Sequence, residues 1–238
     1  MSYRIRRVPV MRFGMVNAYV IQSDVGAILV DTGIPGCEAR FEAQLNKMGL
    51  HFQDINLIVV THGHFDHAGN ADRLRKLCNA PVLIHQREAK FCAGEAEMEL
   101  CPTGWVGKLL YASGAPQSPF SYFTPEIAIE GDDQFDLRPY GVPGYVTPTP
   151  GHTPGSISVI LEDGHAFVSD MVASGLGLGG IVPTGIAKRP PFEEQPQQVA
   201  TELERLLGIG VKHFHLGHGF KLGPRAIEQH VEVLKRLH

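Results

Sequence analysis

Early in the chain, apolar positions come in short alternating or continuous runs separated by polar pairs and glycine. Residues 3–10 alternate weakly, and residues 17–22 (NAYVIQ) and 25–31 (VGAILVD) are apolar and β-branched on either side of Ser23-Asp24. Such runs around a short polar pair predict strands joined by a hairpin turn. Asp31-Thr32-Gly33 closes the third strand. Pro35-Gly36 then leads into a helix over about 38–48, with Phe41, Leu45 and Met48 on one stripe. Residues 55–60 (INLIVV) are continuously apolar up to Thr61, as in a strand buried on both faces. A helix near 67–78, a strand at 81–85 and a short helix at 86–93 follow.

Residues 94–125 interrupt this rhythm, combining Pro102, Gly104, Gly107, Gly114, Pro116, Pro119 and Pro125 with Trp105, Tyr111, Phe120, Tyr122 and Phe123. A long connection of that composition predicts a lid or insertion loop rather than a domain of its own, with 106–111 the part suited to a helix. Strand signals return at 126–130, 134–137, 144–148, 156–161 (SISVIL) and 165–169 (HAFVS), and Asp163-Gly164 makes a hairpin turn between the last two. A glycine-rich loop at 174–185 and a proline-bounded segment to about 196 come next. A helix near 197–207, a strand at 211–216 and a last helix at 224–237 complete the chain. Both halves run strands first and helices after. The pattern predicts one α/β (α+β) domain over 1–238, two stacked sheets with helices outside.

Composition narrows the function classes. Hydrophobic residues at 43% and charged residues at 19% are ordinary for a globular chain with a core. The net charge is −4, and no basic cluster is longer than Arg6-Arg7 or Lys188-Arg189, so a nucleic-acid footprint is not expected. Cys37, Cys78, Cys92 and Cys101 are irregularly spaced without a CxxC pair, which predicts buried free thiols rather than a disulfide framework. The basic start lacks the continuous apolar stretch of a signal peptide, and no apolar run approaches the roughly 20 residues of a membrane helix. A cytoplasmic protein acting on a small molecule is the expectation.

The sharpest chemical feature is Thr61-His62-Gly63-His64-Phe65-Asp66-His67, directly after a buried strand. Imidazole nitrogen and carboxylate oxygen are ligands that zinc prefers in catalytic sites, and side chains at a strand's end can fan around one point. Asp66 alone could merely cap the next helix, but a cap does not explain the histidines beside it. His152 lies in Thr149-Pro-Gly-His-Thr-Pro-Gly, Asp170 ends the run Phe167-Val168-Ser169, and His218 sits in Leu216-Gly-His-Gly219. Singly, Asp170 reads equally well as a turn residue and His218 as a polar helix entry. Together they place metal-capable groups at several strand ends, where α/β architectures build sites.

HxHxDH, then Pro-Gly-His-Thr-Pro-Gly, then a strand-terminal Asp, then Gly-His-Gly before a last helix resembles the metallo-β-lactamase superfamily from Asp31-Thr32-Gly33 to the C-terminal helix. The resemblance implies an αββα sandwich of two mixed β-sheets with the site at one edge. It implies that His62, His64 and His152 hold a first metal, that Asp66, His67 and His218 hold a second, and that Asp170 bridges both. Zinc, two per chain, is the implied cofactor, with iron or manganese as alternatives. The implied reaction is attack of a metal-bridging hydroxide on an ester, thioester, lactone or amide carbonyl, with Asp66 carrying a proton. Asp31 could orient a histidine or simply make its turn. His51, His85, His165, His213, His215, His230 and His238 match no ligand position, although His85 at a strand end could approach the pocket.

The branch of the family is less sharply marked. A bridging carboxylate resembles glyoxalase II, acyl-homoserine lactonases and phosphodiesterases rather than zinc β-lactamases. Quorum-sensing lactonases place a tyrosine three residues after that Asp, where this chain has Ala173. A mononuclear iron enzyme of the persulfide dioxygenase type, using His62, His152 and Asp170, and a phosphodiesterase of the same fold are the alternatives. Trp105, Phe120, Tyr122, Phe123, Leu176 and Leu178 are the candidate apolar pocket wall, and Lys188 or Arg189 the candidate partner of an anionic group. The aromatic run could equally be a homodimer contact.

Overall fold

The structure, a computed structural model, describes residues 3–177 and 179–237. Leu178 and His238 lie outside the described residues. β1 (Arg4–Pro9), β2 (Asn17–Ser23) and β3 (Gly26–Val30) form an antiparallel meander, with Ser23 opposite Gly26 at the hairpin. After α1 (Glu38–Lys47), β4 (Ile55–Val59) pairs parallel to β3. α2 (Phe65–Ala68) and α3 (Ala71–Cys78) lead to β5 (Val82–His85), α4 (Gln86–Cys92), α5 (Gly104–Ser113) and β6 (Ile127–Ile129). β5 and β6 extend the parallel half, giving a mixed sheet in the order β1-β2-β3-β4-β5-β6.

The second sheet is also mixed. β7 (Phe135–Asp136), β8 (Gly144–Pro148), β9 (Ile157–Leu161) and β10 (His165–Ser169) are antiparallel neighbours. A small ladder of β11 (Ala173–Ser174) with β12 (Ala187–Lys188) and the helix α6 (Pro196–Gly208) intervene. β13 (His213–Leu216) then adds parallel to β10, and α7 (Pro224–Leu234) follows.

Alternation along the strands divides the core into layers. Tyr19, Ile21, Ile28, Val30, Leu57 and Val59 of the first sheet meet Val146, Ile157, Val159, Leu161 and Phe167 of the second. The intervening residues Ala18, Val20, Leu29 and Ile58 point the other way, onto Phe41 and Leu45 of α1 and Leu74 of α3. Ala166, Val168, Phe214 and Leu216 likewise meet Val199, Leu203, Ile227 and Val231 of α6 and α7. Each such side chain, fully buried, contributes roughly 1.5–3 kcal/mol of transfer free energy. The result is the expected helix–sheet–sheet–helix sandwich.

Two segments differ from the sequence expectation, each for a local reason. The helix expected over 67–78 is broken after Ala68, because the His67 carbonyl accepts from Thr32 N (2.9 Å) and Thr32 Oγ1 (2.6 Å) instead of from the helix. In 94–125 a longer helix forms than expected, and it is clamped to 190–193. Thr103 N donates to Pro191 O at 2.7 Å and Glu193 N to Cys101 O at 3.0 Å. Gly107 is required there, since a Cβ would stand 2.1 Å from Pro191 O. Cys37, Cys78 and Cys92 are buried free thiols as expected, whereas Cys101 is half-exposed. No helix among the described residues is long and apolar enough to cross a membrane.

Candidate metal centre

Strand ends from both sheets meet at one edge of the sandwich, and backbone bonds fasten them. Ile157 N at the start of β9 donates to Thr61 O just past β4 at 2.9 Å. Asn17 at the start of β2 donates to Gly217 O through its backbone (2.8 Å) and to Gly219 O through Nδ2 (2.8 Å). The loops that carry the candidate ligands are therefore fixed across the two sheets.

His62 Nε2, His64 Nδ1 and His152 Nε2 each lie 3.1 Å from the other two. Nitrogens of a tetrahedral ion with bonds of 2.0–2.1 Å stand about 3.3 Å apart, so this triangle has the size that one ion requires. Thr61 Oγ1 donates to Asp31 (2.8 Å) and lies 3.1 Å from His62 Nδ1. That hydroxyl has one proton, so it accepts from His62 Nδ1–H and leaves Nε2 with its lone pair inward.

Asp66, His67 and His218 form the adjoining group. Asp66 Oδ2 is 3.3 Å from His218 Nε2 and 3.8 Å from His67 Nε2. Asp170 stands between the two groups: Oδ1 is 3.3 Å from His67 Nε2, and Oδ2 is 2.9 Å from His218 Nε2 and 3.9 Å from His152 Nε2. His67 Nε2 and Asp170 Oδ1 are buried and make no hydrogen bond with protein. Buried polar atoms are otherwise almost always paired. Orphaned nitrogen and oxygen donors converging on one space fit divalent cations, and the donor set suits zinc.

Asp31 orients this second group. Its carboxylate accepts from Thr61 N (2.8 Å), Thr61 Oγ1, Ser169 Oγ (3.0 Å) and His67 Nδ1 (2.9 Å). The last contact fixes the His67 tautomer so that Nε2 faces the cluster. Asp31 and Ser169 both hold positive φ, 62° and 47°, a conformation that costs L-residues about 1 kcal/mol or more. Their mutual hydrogen bond and the His67 contact hold them in it. His218 Nδ1 donates to Met15 O, which aims His218 Nε2 inward in the same way.

Proton affinities differ between the two groups. Burial pushes His62 and His152 well below the usual imidazole range and His64 down to about 4, reinforced at His62 and His152 by the neighbouring histidines. Burial also opposes charge on His67 and His218, but at both it is outweighed by nearby carboxylates, chiefly Asp170 and Asp66, and both lie above the usual range. Asp170 is buried too, yet His218 and His67 hold it well below the usual carboxylate range.

Glu88 is a further residue at the centre that sequence reasoning did not find. It is fully buried on α4, and its carboxylate accepts from Gly63 N (3.0 Å), Thr153 Oγ1 (2.9 Å) and Gly155 N (2.9 Å). One side chain thus ties the loop of His62 and His64 to the loop of His152. The available signal was a glutamate in the first turn of a short helix at a core-facing position.

The candidate substrate residues separate. Phe120 and Tyr122 line a cavity of about 530 Å³ that reaches His64 and Phe65. Trp105, Leu176 and Lys188 line a different depression beyond Pro191, where Lys188 Nζ donates to Gly177 O at 2.5 Å. Phe123 is buried in the core. The cavity directly over Asp66, Asp170 and His218 is walled instead by Met11, Val16, Ile34, Leu110 and Phe192. His85 is satisfied away from the centre, accepting from Arg87 N (3.1 Å) and donating to Gly131 O (3.0 Å).

Residues 11–218 match the model of the metallo-beta-lactamase superfamily. Over 222 residues, 87% of this chain and 82% of the relative, the protein is 26% identical to the probable metallo-hydrolase YflN of Bacillus subtilis. It is 32% identical over 169 residues to the probable metallo-hydrolase MJ0888 of Methanocaldococcus jannaschii, covering 71% of this chain and 73% of that one. Among solved structures, the BLEG-1 B3 metallo-beta-lactamase superposes with a TM-score of 0.70 at 21% identity, over 97% of this chain and 99% of that chain, a likeness of fold. The chain belongs to the metallo-beta-lactamase superfamily and is a metal-dependent hydrolase.

Proposed function

We propose that the protein is a dinuclear hydrolase that cleaves an ester, thioester, lactone or amide, with zinc as the resident metal. The carrying observation is two adjoining donor groups, one of His62, His64 and His152 and one of Asp66, His67 and His218, with Asp170 within 4 Å of both. Bound there, two divalent ions supply Lewis-acid polarisation of a carbonyl oxygen and a nucleophile at neutral pH. His62, His64 and His152 would hold the first ion and Asp66, His67 and His218 the second, with Asp170 available to both.

The chain's own groups organise the rest. Asp31, through His67, and the Met15 carbonyl, through His218, keep the inward nitrogens aimed at the site. Asp66 is the most exposed carboxylate of the cluster, with its side chain 28% accessible against 4% for Asp170, and it borders the cavity over the centre. It is placed to take the proton released during attack and return it to the leaving group. The four free cysteines suit a cytoplasmic site of action.

Elemental analysis of protein purified without added metal tests the reading, together with a panel of esters, thioesters, lactones and phosphodiesters. Two zincs per chain, carbonyl hydrolysis, and loss of that activity in a folded His64→Ala variant are expected. A single iron per chain, or full activity in that variant, would sink it.

A further inference from the structure

The cavity over Asp66, Asp170 and His218 has a volume of about 270 Å³. Its polar lining consists of His64, Asp66, Asp170 and His218, all members of the metal centre. Every other lining residue is apolar, including Met11, Ile34, Leu110 and Phe192. Among the described residues no lysine or arginine lines it, nor does any line the adjoining cavity of about 530 Å³ that shares His64, Phe65, Leu100 and Pro116. The cations proposed from the sequence, Lys188 and Arg189, are engaged elsewhere. Lys188 donates to Gly177 O, and Arg189 Nε donates to the buried Glu193 carboxylate at 2.5 Å.

A substrate whose carbonyl sits at the metal centre would place one substituent in this cavity. A charged substituent would be taken from water beside Leu110 and Phe192 with no counter-charge, a desolvation cost that geometry does not offset. An apolar one would be favoured by burial of its surface. At about 30 Å³ per water-sized group, the space holds about nine non-hydrogen atoms.

We propose that this cavity is an acyl pocket for an uncharged apolar group of that size, so that the substrates are neutral medium-chain or aryl carboxylic esters, thioesters or lactones. The proposal rests on the hydrolase reading, since it assumes that the carbonyl is the reacting group. It assigns selectivity to Leu110, Phe192, Met11 and Ile34 rather than to Lys188.

The test uses the metal-loaded enzyme and 4-nitrophenyl esters of increasing chain length, each paired with its ω-carboxylate. We expect kcat/KM to rise about three- to fourfold per methylene and to level off near eight carbons. The ω-carboxylates are expected to be about 100-fold poorer. Leu110→Arg, on the half-exposed face of α5, should narrow that gap by lowering the neutral substrates and raising the carboxylates. Turnover with no chain-length dependence, or a wild-type preference for carboxylates, overturns the pocket and leaves the hydrolase reading intact. Calorimetry with non-hydrolysable alkyl ketones separates the remaining outcomes. Chain-length-dependent binding without turnover of any ester supports the pocket and removes the hydrolase, while neither binding nor turnover removes both.

Discussion

The two halves of the metal centre are built on different physics. His62, His64 and His152 are neutral imidazoles whose nitrogens sit at ligand spacing because Glu88 braces the loops that carry them. Asp66, His67 and His218 are held by Asp31 and the Met15 carbonyl, and their histidines keep protons against burial because carboxylates surround them. In the first half, position is prepared and charge is absent. In the second, Asp170 and Asp66 favour positive charge on or beside His67 and His218. If each half holds an ion, as proposed, the first would select it by geometry and the second by charge, and substitutions on each side should separate the two contributions.

The largest effect is expected at Gly217, which lies against His67 of the second half and the shared Asp170. A Cβ there would stand 2.1 Å from Asp170 Oδ1 and 2.6 Å from His67 Cε1. Gly217→Ala must displace both groups, so the metal content should fall from two per chain to one, with kcat/KM down by about 1,000-fold or more. Retention of both metals in that variant would show that the second ion does not depend on the placement of Asp170 and His67 described here.

Glu88 is the corresponding lever on the first half. Glu88→Ala leaves Gly63 N, Gly155 N and Thr153 Oγ1 without their buried acceptor, costing about 2–4 kcal/mol of stability. Affinity of the three-histidine group should fall about 10–100-fold, the range for groups that orient ligands. Glu88→Gln keeps the volume and one acceptor oxygen, and should lie between the two. Stepwise metal affinities followed by competition with a chromophoric chelator give the result. Equal weakening of both sites would mean that Glu88 acts on overall stability alone.

Proton release provides a gentler discriminator. His62, His64 and His152 are already unprotonated at neutral pH, so filling that group releases few protons. Filling the other competes with protons on His67 and His218, whose affinities are raised. Its apparent metal affinity should therefore fall more steeply with falling pH, and second-metal binding should show the larger dependence on buffer ionisation enthalpy in calorimetry at pH 7. The sign for stability without metal is opposite in the two halves. The raised pair stabilises below the unfolded imidazole value and loses that contribution as pH rises through its folded values. The lowered triad stabilises above that value and loses it as pH falls.

The candidate ligands, His62, His64, Asp66, His67, His152, Asp170 and His218, are legible in the sequence because each stands beside a glycine, a turn or a strand end, and ligand chemistry narrows the residue types. The sheets are legible for a similar reason: strands buried on both faces write continuous apolar runs, as 55–60 does. Glu88 escapes such reading because its partners, Gly63 and Gly155, lie 25 and 67 residues away and offer only backbone. The break after Ala68 depends on Thr32 capturing a carbonyl from a distant turn. Leu110 and Phe192 reach the cavity only because α5 is clamped to 190–193, a contact that no local pattern encodes. Trp105 and Lys188 match the composition of a pocket wall but border a different depression.

The smallest predicted effect comes from a third histidine group, which shows what such clusters do without carboxylates among them. His165, His213 and His215 stack at the β10–β13 edge, with His165 Nδ1 and His215 Nε2 sharing a hydrogen bond of 2.8 Å and His215 lying flat on Phe167. Asp163 is 4.0 Å from His165, and its charge opposes the shift at His215 without offsetting it. Burial, then His165, Lys221 and His213, push His215 down to about 3. Its unfolded counterpart titrates near 6.5, so the unfolded chain binds a proton that the folded one refuses as pH falls from about 6.5 towards 3. Between pH 7.5 and pH 5 this costs about 2 kcal/mol, or roughly 4–8 °C in Tm for a chain of this length. His215→Phe, which preserves the stack on Phe167, should lose that much less Tm over the same interval. An unchanged acid dependence in the variant would mean that the stack accommodates the proton, and that burial without a carboxylate is not what separates this cluster from the charged half of the metal centre.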